Sequence, residues 1–547
     1  MKAAQLLLEC LEHESVDYIF GLPGEENMDV LDALLDSRIE FVTTRHEQGA
    51  AFMADVYGRL TKRAGVCLAT LGPGATNLIT GVADANMDHA PLVAIAGQAG
   101  SDRLHKESHQ VLDLQRLFQP VSKYSSRLIA PETVPEVVRK AFKTAQTERM
   151  GASFIELPEN VAGMSTSARP VCVKQAVALD PASDPSERSI EAAAKLIGQA
   201  RHPIILAGNG VIRAGATEAL SEFASRLNIP VANTFMAKGV IPFKHPMALG
   251  SVGLQSNDWV LCGFSKADVI ICVGYDLVEY HADLWHPSQD RTIVHIASVP
   301  HEVDAHYCVA ASVVGDISQS LSAIGERSQP HEAHTLRPLR NALIEDMQHL
   351  SADGEFPIKP QRLIWELRTA LRNEDVVICD VGAHKLWMAR MFRCEEPNTC
   401  IISNGFAAMG IAVPGAIAAK LVYPDLNIVA VSGDAGFMMN CQEIETAIRL
   451  NTPIVIMIWN DGAYGVIEWK QLNKYKRKAY VDFDNPDFVK LAESFGALGY
   501  RVEHPDALQP ILREALDSKR VCVIDCPVDY RENLRLTEKL GNMVCPV

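Results

Sequence analysis

One rhythm constrains this chain more than any other feature, and it starts three times: short apolar runs of strand length alternating with helical stretches. Up to about residue 165 the runs DYIFGLPG, IEFVTTRHE, AGVCLATLGPG and PLVAIAGQ alternate with MDVLDALLDS, QGAAFMADVYGRLT and ATNLITGVADANMD. Strands separated by helices return by crossovers rather than hairpins, so the rhythm implies βαβ units around parallel sheets. LDPASDPSERS, residues 179–189, reads as a linker, after which HPIILAGNG, TEALSEFASRLN, PVANTF, ADVIICVGYD and TIVHIAS restart the pattern. The polar stretch ERSQPHEAHTLRP precedes a third start, with DVVICDVG, NIVAVSGD, PIVIMIWN and RVCVIDCPVD. The expectation is an α/β protein with three doubly wound parallel-sheet domains, at residues 1–165, 185–325 and 360–530, and a C-terminal tail at 531–547. A length of 547 residues fits three domains of ordinary size. The repetition is of rhythm and not of letters, which excludes a short-period solenoid.

Charge narrows the partners. With 67 acidic and 51 basic side chains the formal net charge is −16, which argues against nucleic acid and against an anionic membrane surface. No apolar window is long enough to span a bilayer, and MKAAQLLLECLEHES meets acidic and His residues before a signal-peptide core can form. A soluble, untargeted, cytoplasmic chain is expected. The thirteen Cys are scattered, many in strand-like apolar runs, and reduced thiols are expected of them. Cys522 and Cys526 form a CxxxC spacing that matches neither a zinc nor a redox motif.

The third unit carries the chemistry. NIVAVSGDAG places Asp434 just past one buried strand and PIVIMIWNDG places Asn460 just past another, with CQEIETAIRL between them. In a parallel sheet both polar groups then share the carboxyl edge, where open α/β sheets bind ligands. One carboxylate, one amide oxygen and a backbone carbonyl from the next turn suit a hard cation such as Mg²⁺. Gly433 and Gly436 let backbone approach a phosphate, and CDVGAHKLW adds the amides of Gly382 and Ala383 and the imidazole of His384 at the same edge. Taken singly, an Asp or Asn after a strand is most often a cap or turn residue. The combination is far less ordinary.

These residues resemble the diphosphate-anchoring motif of thiamine diphosphate (ThDP) enzymes: GDA, with Ala435 where many members have Gly, followed by Asn460. The first unit is similar to their pyrimidine-side motifs in FGLPG (Phe20–Gly24), RHEQGAAFMADVYGR (Arg45–Arg59), LGPGATNL (Leu71–Leu78) and SHQ (Ser108–Gln110). NGFAAMG (Asn404–Gly410) resembles the segment that supports the bent cofactor, and the likeness runs in order along the whole chain. It implies that Glu47 bonds the cofactor's aminopyrimidine, and that Asp434, Asn460 and the carbonyl of Gly462 hold Mg²⁺. It further implies that the Ala407 carbonyl accepts from the 4′-amino group and that Met409 props the rings. Gly24, Pro73 and Asn77 would line the pyrimidine end. Gln110, Val466 and Trp469 would face the substrate. His105 and His109 stand at a possible metal spacing but have no evident third ligand.

The closest resemblance is to the catabolic, FAD-independent type of acetolactate synthase. Flavin-binding relatives carry an RFDDR-like segment where this chain reads VGYDLVEY (Val273–Tyr280), and often a Lys where LPENV has Glu159. GNG (Gly208–Gly210) is an incomplete dinucleotide fingerprint whose expected job is a tight strand-to-helix turn. The implied reaction is decarboxylation of pyruvate and addition of the resulting hydroxyethyl carbanion to a second pyruvate, giving 2-acetolactate and CO₂. ThDP and Mg²⁺ are the implied cofactors, with FAD expected to be absent. The implied assembly is a homodimer at minimum, and a homotetramer in expectation, with Glu47 acting across the dimer interface. Another ThDP-dependent decarboxylase or carboligase shares the same anchors, and a non-catalytic ThDP-binding sensor or scaffold is the reading from another class.

Overall fold

The computed structural model describes residues 1–171, 184–253, 259–332 and 337–534. Parts of the 179–189 linker, of the polar stretch 326–338 and of the 531–547 tail lie outside the described residues. Three six-stranded sheets are present, every pairing within them parallel. The first contains β1 (Tyr18–Gly21), β2 (Glu40–Thr43), β3 (Gly65–Ala69), β4 (Leu92–Gln98), β5 (Tyr124–Arg127) and β6 (Ala152–Pro158), in the order β2-β1-β3-β4-β6-β5. The second has β7 (Pro203–Ala207), β8 (Val231–Asn233), β9 (Ala248–Ser251), β10 (Val269–Val273), β11 (Thr292–Ala297) and β12 (Val309–Val314), ordered β12-β11-β10-β7-β8-β9. The third has β13 (Val376–Cys379), β14 (Cys400–Ile402), β15 (Ile428–Gly433), β16 (Val455–Asn460), β17 (Leu498–Arg501) and β18 (Cys522–Pro527), ordered β14-β13-β15-β16-β18-β17. The expectation of three parallel α/β sheets therefore holds.

Sheet order places the crevices. In the first and third sheets the chain leaves a central strand in opposite directions, between β1 and β3 and between β13 and β15. Such switch points open a cleft at the carboxyl edge. The second sheet has the dinucleotide-fold order, with its switch between β7 and β10. The strands earn these central positions by being apolar on both faces: all five residues of VIICV and the first five of VIMIWN are buried.

By internal packing the chain divides into two compact units. One comprises Met1–Asp180, Gly405–Asp425 and Met438–Ile454, and the other Pro181–Asn404, Leu426–Phe437 and Val455–Val547. MKAAQLLLECLEHES folds into the first of these as helix Ala3–His13, with Leu6, Leu7 and Leu11 in the core. In the same unit helix Glu47–Thr61 is buried along nearly its whole length. Gly58 in it permits close approach, since a Cβ there would come 2.2 Å from the Pro91 carbonyl oxygen. The helix stops at Lys62, which takes a left-handed conformation with φ 59°.

Ten Cys among the described residues are free thiols, Cys522 and Cys526 on β18 included. Cys262 is disulfide-bonded, so the expectation of reduced thiols fails at that position. No helix among the described residues is long and apolar enough to cross a membrane.

Candidate active site

Beside the switch point of the third sheet, β15 and β16 run side by side with Gly433 opposite Trp459, so Asp434 and Asn460 emerge together at the carboxyl edge. Asp434 is the first residue of helix Asp434–Asn440 and is almost wholly buried. Its Oδ1 accepts from the amide of Ala435 at 2.8 Å, and its Oδ2 accepts from the Gly462 amide and from Asn485 Nδ2, each at 2.7 Å. Burial raises its carboxyl above the ordinary value. Asn460 donates Nδ2 to Asp525 Oδ1 at 2.9 Å, and Asp525 is itself paired with Arg501 at 3.0 Å. That bond fixes the amide's orientation, so Asn460 Oδ1 turns the other way and accepts from the same Asn485 nitrogen at 2.9 Å.

One nitrogen thus touches both oxygens assigned to a cation. The Gly462 N–H faces Asp434, and its carbonyl accepts from the Phe483 amide at 3.0 Å, a bond that uses one of that oxygen's two lone pairs. Gly462 takes a left-handed conformation, φ +65°. Among the described residues no group of three or more His, Cys, Asp or Glu is placed to hold a metal. A set of one carboxylate with neutral oxygens lies outside that description.

Across the same switch point, Gly382 caps helix Ala383–Met391, whose first amides have no partner within the helix. His384 packs its ring against both neighbouring glycines. A Cβ on Gly382 would lie 2.9 Å from His384 Nδ1, and one on Gly433 would lie 3.2 Å from it. The imidazole is 1% exposed, and burial lowers its pKa to about 3, so it is neutral. Its Nε2 is buried with no hydrogen-bond partner among the described residues. Gly436 approaches the carboxylate of Asp380, where a Cβ would stand 3.0 Å from Oδ1.

In the other unit, Glu47 begins helix Glu47–Thr61, capped by His46, whose Nδ1 accepts from the Gln48 amide. Glu47 is only 9% exposed. Asn77 Nδ2 donates to its Oε2 at 2.9 Å. A side chain on Gly74 would approach its Oε1 to 3.4 Å, so the LGPGATNL turn lies directly over the carboxylate. Gly24 packs on Thr70, where a Cβ would come within 2.4 Å. Pro73 is the first residue of helix Pro73–Met87. Gly72 abuts Gln110, which is exposed and left-handed with φ 58°. NGFAAMG forms a loop in which Ala407 takes φ 58° and Met409 is half-buried.

The loop before Glu47 is held by a residue that the sequence reading missed. Glu443 Oε1 accepts from the amides of Arg45 and His46 at 3.0 and 3.1 Å, and its Oε2 accepts from the Thr446 hydroxyl. Burial pushes its carboxyl up to about 7. Folded protein therefore holds this proton more tightly than an unfolded chain with the ordinary value of 4.5. The stabilising contribution is complete below pH 4.5 and is lost as pH rises through 7. Glu443→Gln removes that slope, so its melting temperature relative to the parent should climb between pH 5 and 7.5. Calorimetry giving a pH-independent difference would contradict this.

The substrate-side candidates are less well gathered. Trp469, on helix Gly465–Tyr475, is buried and lines a cavity of about 350 Å³ with Asp461, Leu472, Tyr530 and Asn533, while half-exposed Val466 is not part of its lining. Burial and neighbouring Asp434 raise the Asp461 carboxyl to about 8. His105 and His109 are exposed and lie in a non-helical loop, so their i, i+4 spacing does not align them.

The arrangement fits an anionic cofactor with a metal. His384 Nε2 is an orphaned buried group beside glycines that leave no room for side chains, and an amide nitrogen stands where a cation would meet Asp434 and Asn460. Residues 1–117 match the family described as "Thiamine pyrophosphate enzyme, N-terminal TPP binding domain". Residues 190–324 match its "central domain" and 380–526 its "C-terminal TPP binding domain". The chain is 39% identical over 543 residues to "Acetolactate synthase" of Bacillus subtilis, covering 98% of this chain and 94% of that protein. It is 35% identical over 546 residues to "Acetolactate synthase, catabolic" of Raoultella terrigena, covering 98% and 97%. To "Acetolactate synthase large subunit" of Corynebacterium glutamicum it is 33% identical over 547 residues, covering 96% and 86%.

Proposed function

The chain belongs to the thiamine pyrophosphate enzyme family, and from that premise we infer that it is a ThDP-dependent carboligase of the acetolactate synthase type. It takes pyruvate, releases CO₂ and joins the remaining two-carbon unit to a second pyruvate, giving 2-acetolactate. The observation that carries this reading is the buried Glu47, held by Asn77 beneath the LGPGATNL turn. A protein that only sensed the cofactor has no use for a carboxylate there.

Bound ThDP supplies a thiazolium carbon acid and an aminopyrimidine that can take its proton once the far ring nitrogen is bonded to a carboxylate. Glu47 is the carboxylate for that bond: Asn77 occupies its Oε2, which leaves Oε1 for the ring nitrogen. The carbonyl of Ala407 accepts from the 4′-amino group, Met409 supports the rings, and Gly24 and Pro73 border the pyrimidine. Asp434 and Asn460 hold Mg²⁺, which neutralises the diphosphate. The Gly462 carbonyl, with one of its two lone pairs used by the Phe483 amide, is the third oxygen of that set. Amides of Gly382, Ala383, Gly433, Ala435 and Gly436, with His384 Nε2, take the phosphate oxygens. Gln110, Val466 and Trp469 are assigned to the substrate side, Trp469 with the support of its cavity.

The flavin-free subtype has support in the central sheet. Glu279 is buried, and its two carboxylate oxygens each accept from the Asn209 amide at 3.0 Å, while Thr234 donates its hydroxyl to the same group. That amide opens the helix after β7, where a dinucleotide fold receives a pyrophosphate, and Glu279 already occupies it. Gly208 and Gly210 lie against the backbone of Gly274, in keeping with a tight turn. A flavin band in the absorbance spectrum of the pure protein would overturn this part. The assembly is read as a homodimer at least, with Glu47 serving a cofactor anchored by its partner, and a fully active monomer would refute that.

Product analysis tests the reading. With pyruvate, ThDP and Mg²⁺ the enzyme should form 2-acetolactate, and accumulation of acetaldehyde instead would favour a plain 2-oxo acid decarboxylase.

A further inference from the structure

Beneath the Ala407 segment lies a charge cluster that the assigned roles do not use. Asp55 and Arg59 on helix Glu47–Thr61, Asp84 on helix Pro73–Met87 and Asp88 at that helix's end are drawn together, all three carboxylates fully buried. The Arg59 guanidinium touches each: Nε to Asp55 at 2.6 Å, Nη2 to Asp84 Oδ2 at 2.9 Å and Nη1 to Asp88 Oδ2 at 2.9 Å. Three buried acids around one base are poor stabilising chemistry, because burial of excess charge costs more than an apolar core of the same volume. Their geometry suggests a different use.

The oxygens facing away from Arg59 hold backbone. Asp88 Oδ1 accepts from the Gly405 amide at 2.6 Å and Asp84 Oδ1 accepts from the Ala408 amide at 3.2 Å. These amides bracket Phe406 and Ala407, and Ala407 is left-handed with φ 58°. A non-glycine residue in that region is strained and persists only where its surroundings over-determine it. The far end of the segment is also fixed, since Asn440 Nδ2 donates to the Gly410 carbonyl at 2.9 Å. Arg59's rigid fork orients both carboxylates, so the direction of the Ala407 peptide is set by two helices of the same unit.

We propose that Asp84 and Asp88, oriented by Arg59, are positioning residues that clamp Ala407 in its left-handed conformation and so aim its carbonyl for the cofactor's 4′-amino group. This rests on the assignment of Ala407 made above. The clamp acts on proton transfer at the cofactor and not on its retention, because the diphosphate is anchored elsewhere. An asparagine at position 84 or 88 can serve Arg59 or the backbone amide with its one carbonyl oxygen, but not both. Glycine at position 407 adopts positive φ without the steric penalty, so it should relieve the need for the clamp.

The test uses the full-length enzyme loaded with ThDP and Mg²⁺. It reads the rate of hydrogen–deuterium exchange at the cofactor's C2 by quenched NMR, the ThDP dissociation constant, and the near-ultraviolet circular dichroism of the fold. Asp88→Asn should keep its fold and bind ThDP within about twofold of the parent, yet exchange C2 at least about tenfold more slowly, the size expected of one released strain of this kind. Asp84→Asn should show a smaller loss of the same sort. Adding Ala407→Gly to Asp88→Asn should recover several-fold of the exchange rate. Unchanged exchange in folded Asp88→Asn would overturn the proposal, as would a loss that Ala407→Gly does not relieve. If both asparagine variants fail to fold, the cluster is a folding element and the proposal falls. Glu47→Gln separates the two readings: parent-like exchange in that variant would overturn the cofactor assignment itself, whatever the aspartates do.

Discussion

Glu47→Gln is expected to bind ThDP nearly as well as the parent and to lose about 10²- to 10⁴-fold in turnover, the usual size of a general acid/base contribution. Glutamine keeps the length and shape of the side chain, so packing under the LGPGATNL turn is preserved. What changes is the bond to the cofactor's ring nitrogen. A neutral amide cannot stabilise the proton there, and an NH₂ group in the place of Oε2 would meet the Asn77 donor instead of accepting from it, as Oε2 does at 2.9 Å. Because the carboxylate is 9% exposed, water does not substitute for it. A Glu47→Gln enzyme turning over at a near-normal rate would remove Glu47 from the mechanism. Glu443, which ties the amides of Arg45 and His46, should produce a milder defect, because it acts on Glu47 only through the loop.

The second large effect is expected at the other end of the cofactor. Asp434→Ala should lose metal affinity by more than the ~10- to 100-fold typical of residues that merely orient a ligand, and ThDP retention should fall with it. The structure gives the reason: Asp434 supplies the only charged oxygen of its set, and it organises the Ala435 and Gly462 amides and the Asn485 side chain around itself. Removing it also takes this acceptor from the Ala435 and Gly462 amides in a buried place, which adds instability to the loss of charge. Dialysis against a chelator followed by measurement of bound ThDP reads this directly, and retention equal to the parent's would contradict the metal site. An overall charge of −16 is no obstacle to binding a diphosphate, since one cation and a few amides set the local potential.

The diphosphate-side residues were legible in the sequence for one reason, that they terminate buried strands, whereas Glu47 was marked by the likeness of RHEQGAAFMADVYGR to the family's motif. Asp434 follows NIVAVSG, Asn460 ends VIMIWN, and Gly382 follows VVICDV, so the parallel rhythm alone put them on one edge. The supporting residues carry no such mark. Glu443 lies far along the chain from Glu47, and within QEIET nothing distinguishes a buried glutamate from a solvated one. Asn485 sits in an irregular stretch after the helix that follows Asn460, and Asp525 reads as one acidic residue in an otherwise apolar strand. The NGFAAMG turn depends on Asp84 and Asp88, which lie hundreds of positions away along the chain. Strand ends are local information; what holds them in register with one another is not.

The central claim is that two pyruvates are joined, and the carbon balance tests it most directly. With pyruvate as the only substrate, in the presence of ThDP and Mg²⁺, CO₂ released and pyruvate consumed are measured together in the same reaction. Carboligation predicts one CO₂ for every two pyruvates, with 2-acetolactate accounting for the remaining carbon. One CO₂ for every pyruvate, with acetaldehyde as the product, would contradict it.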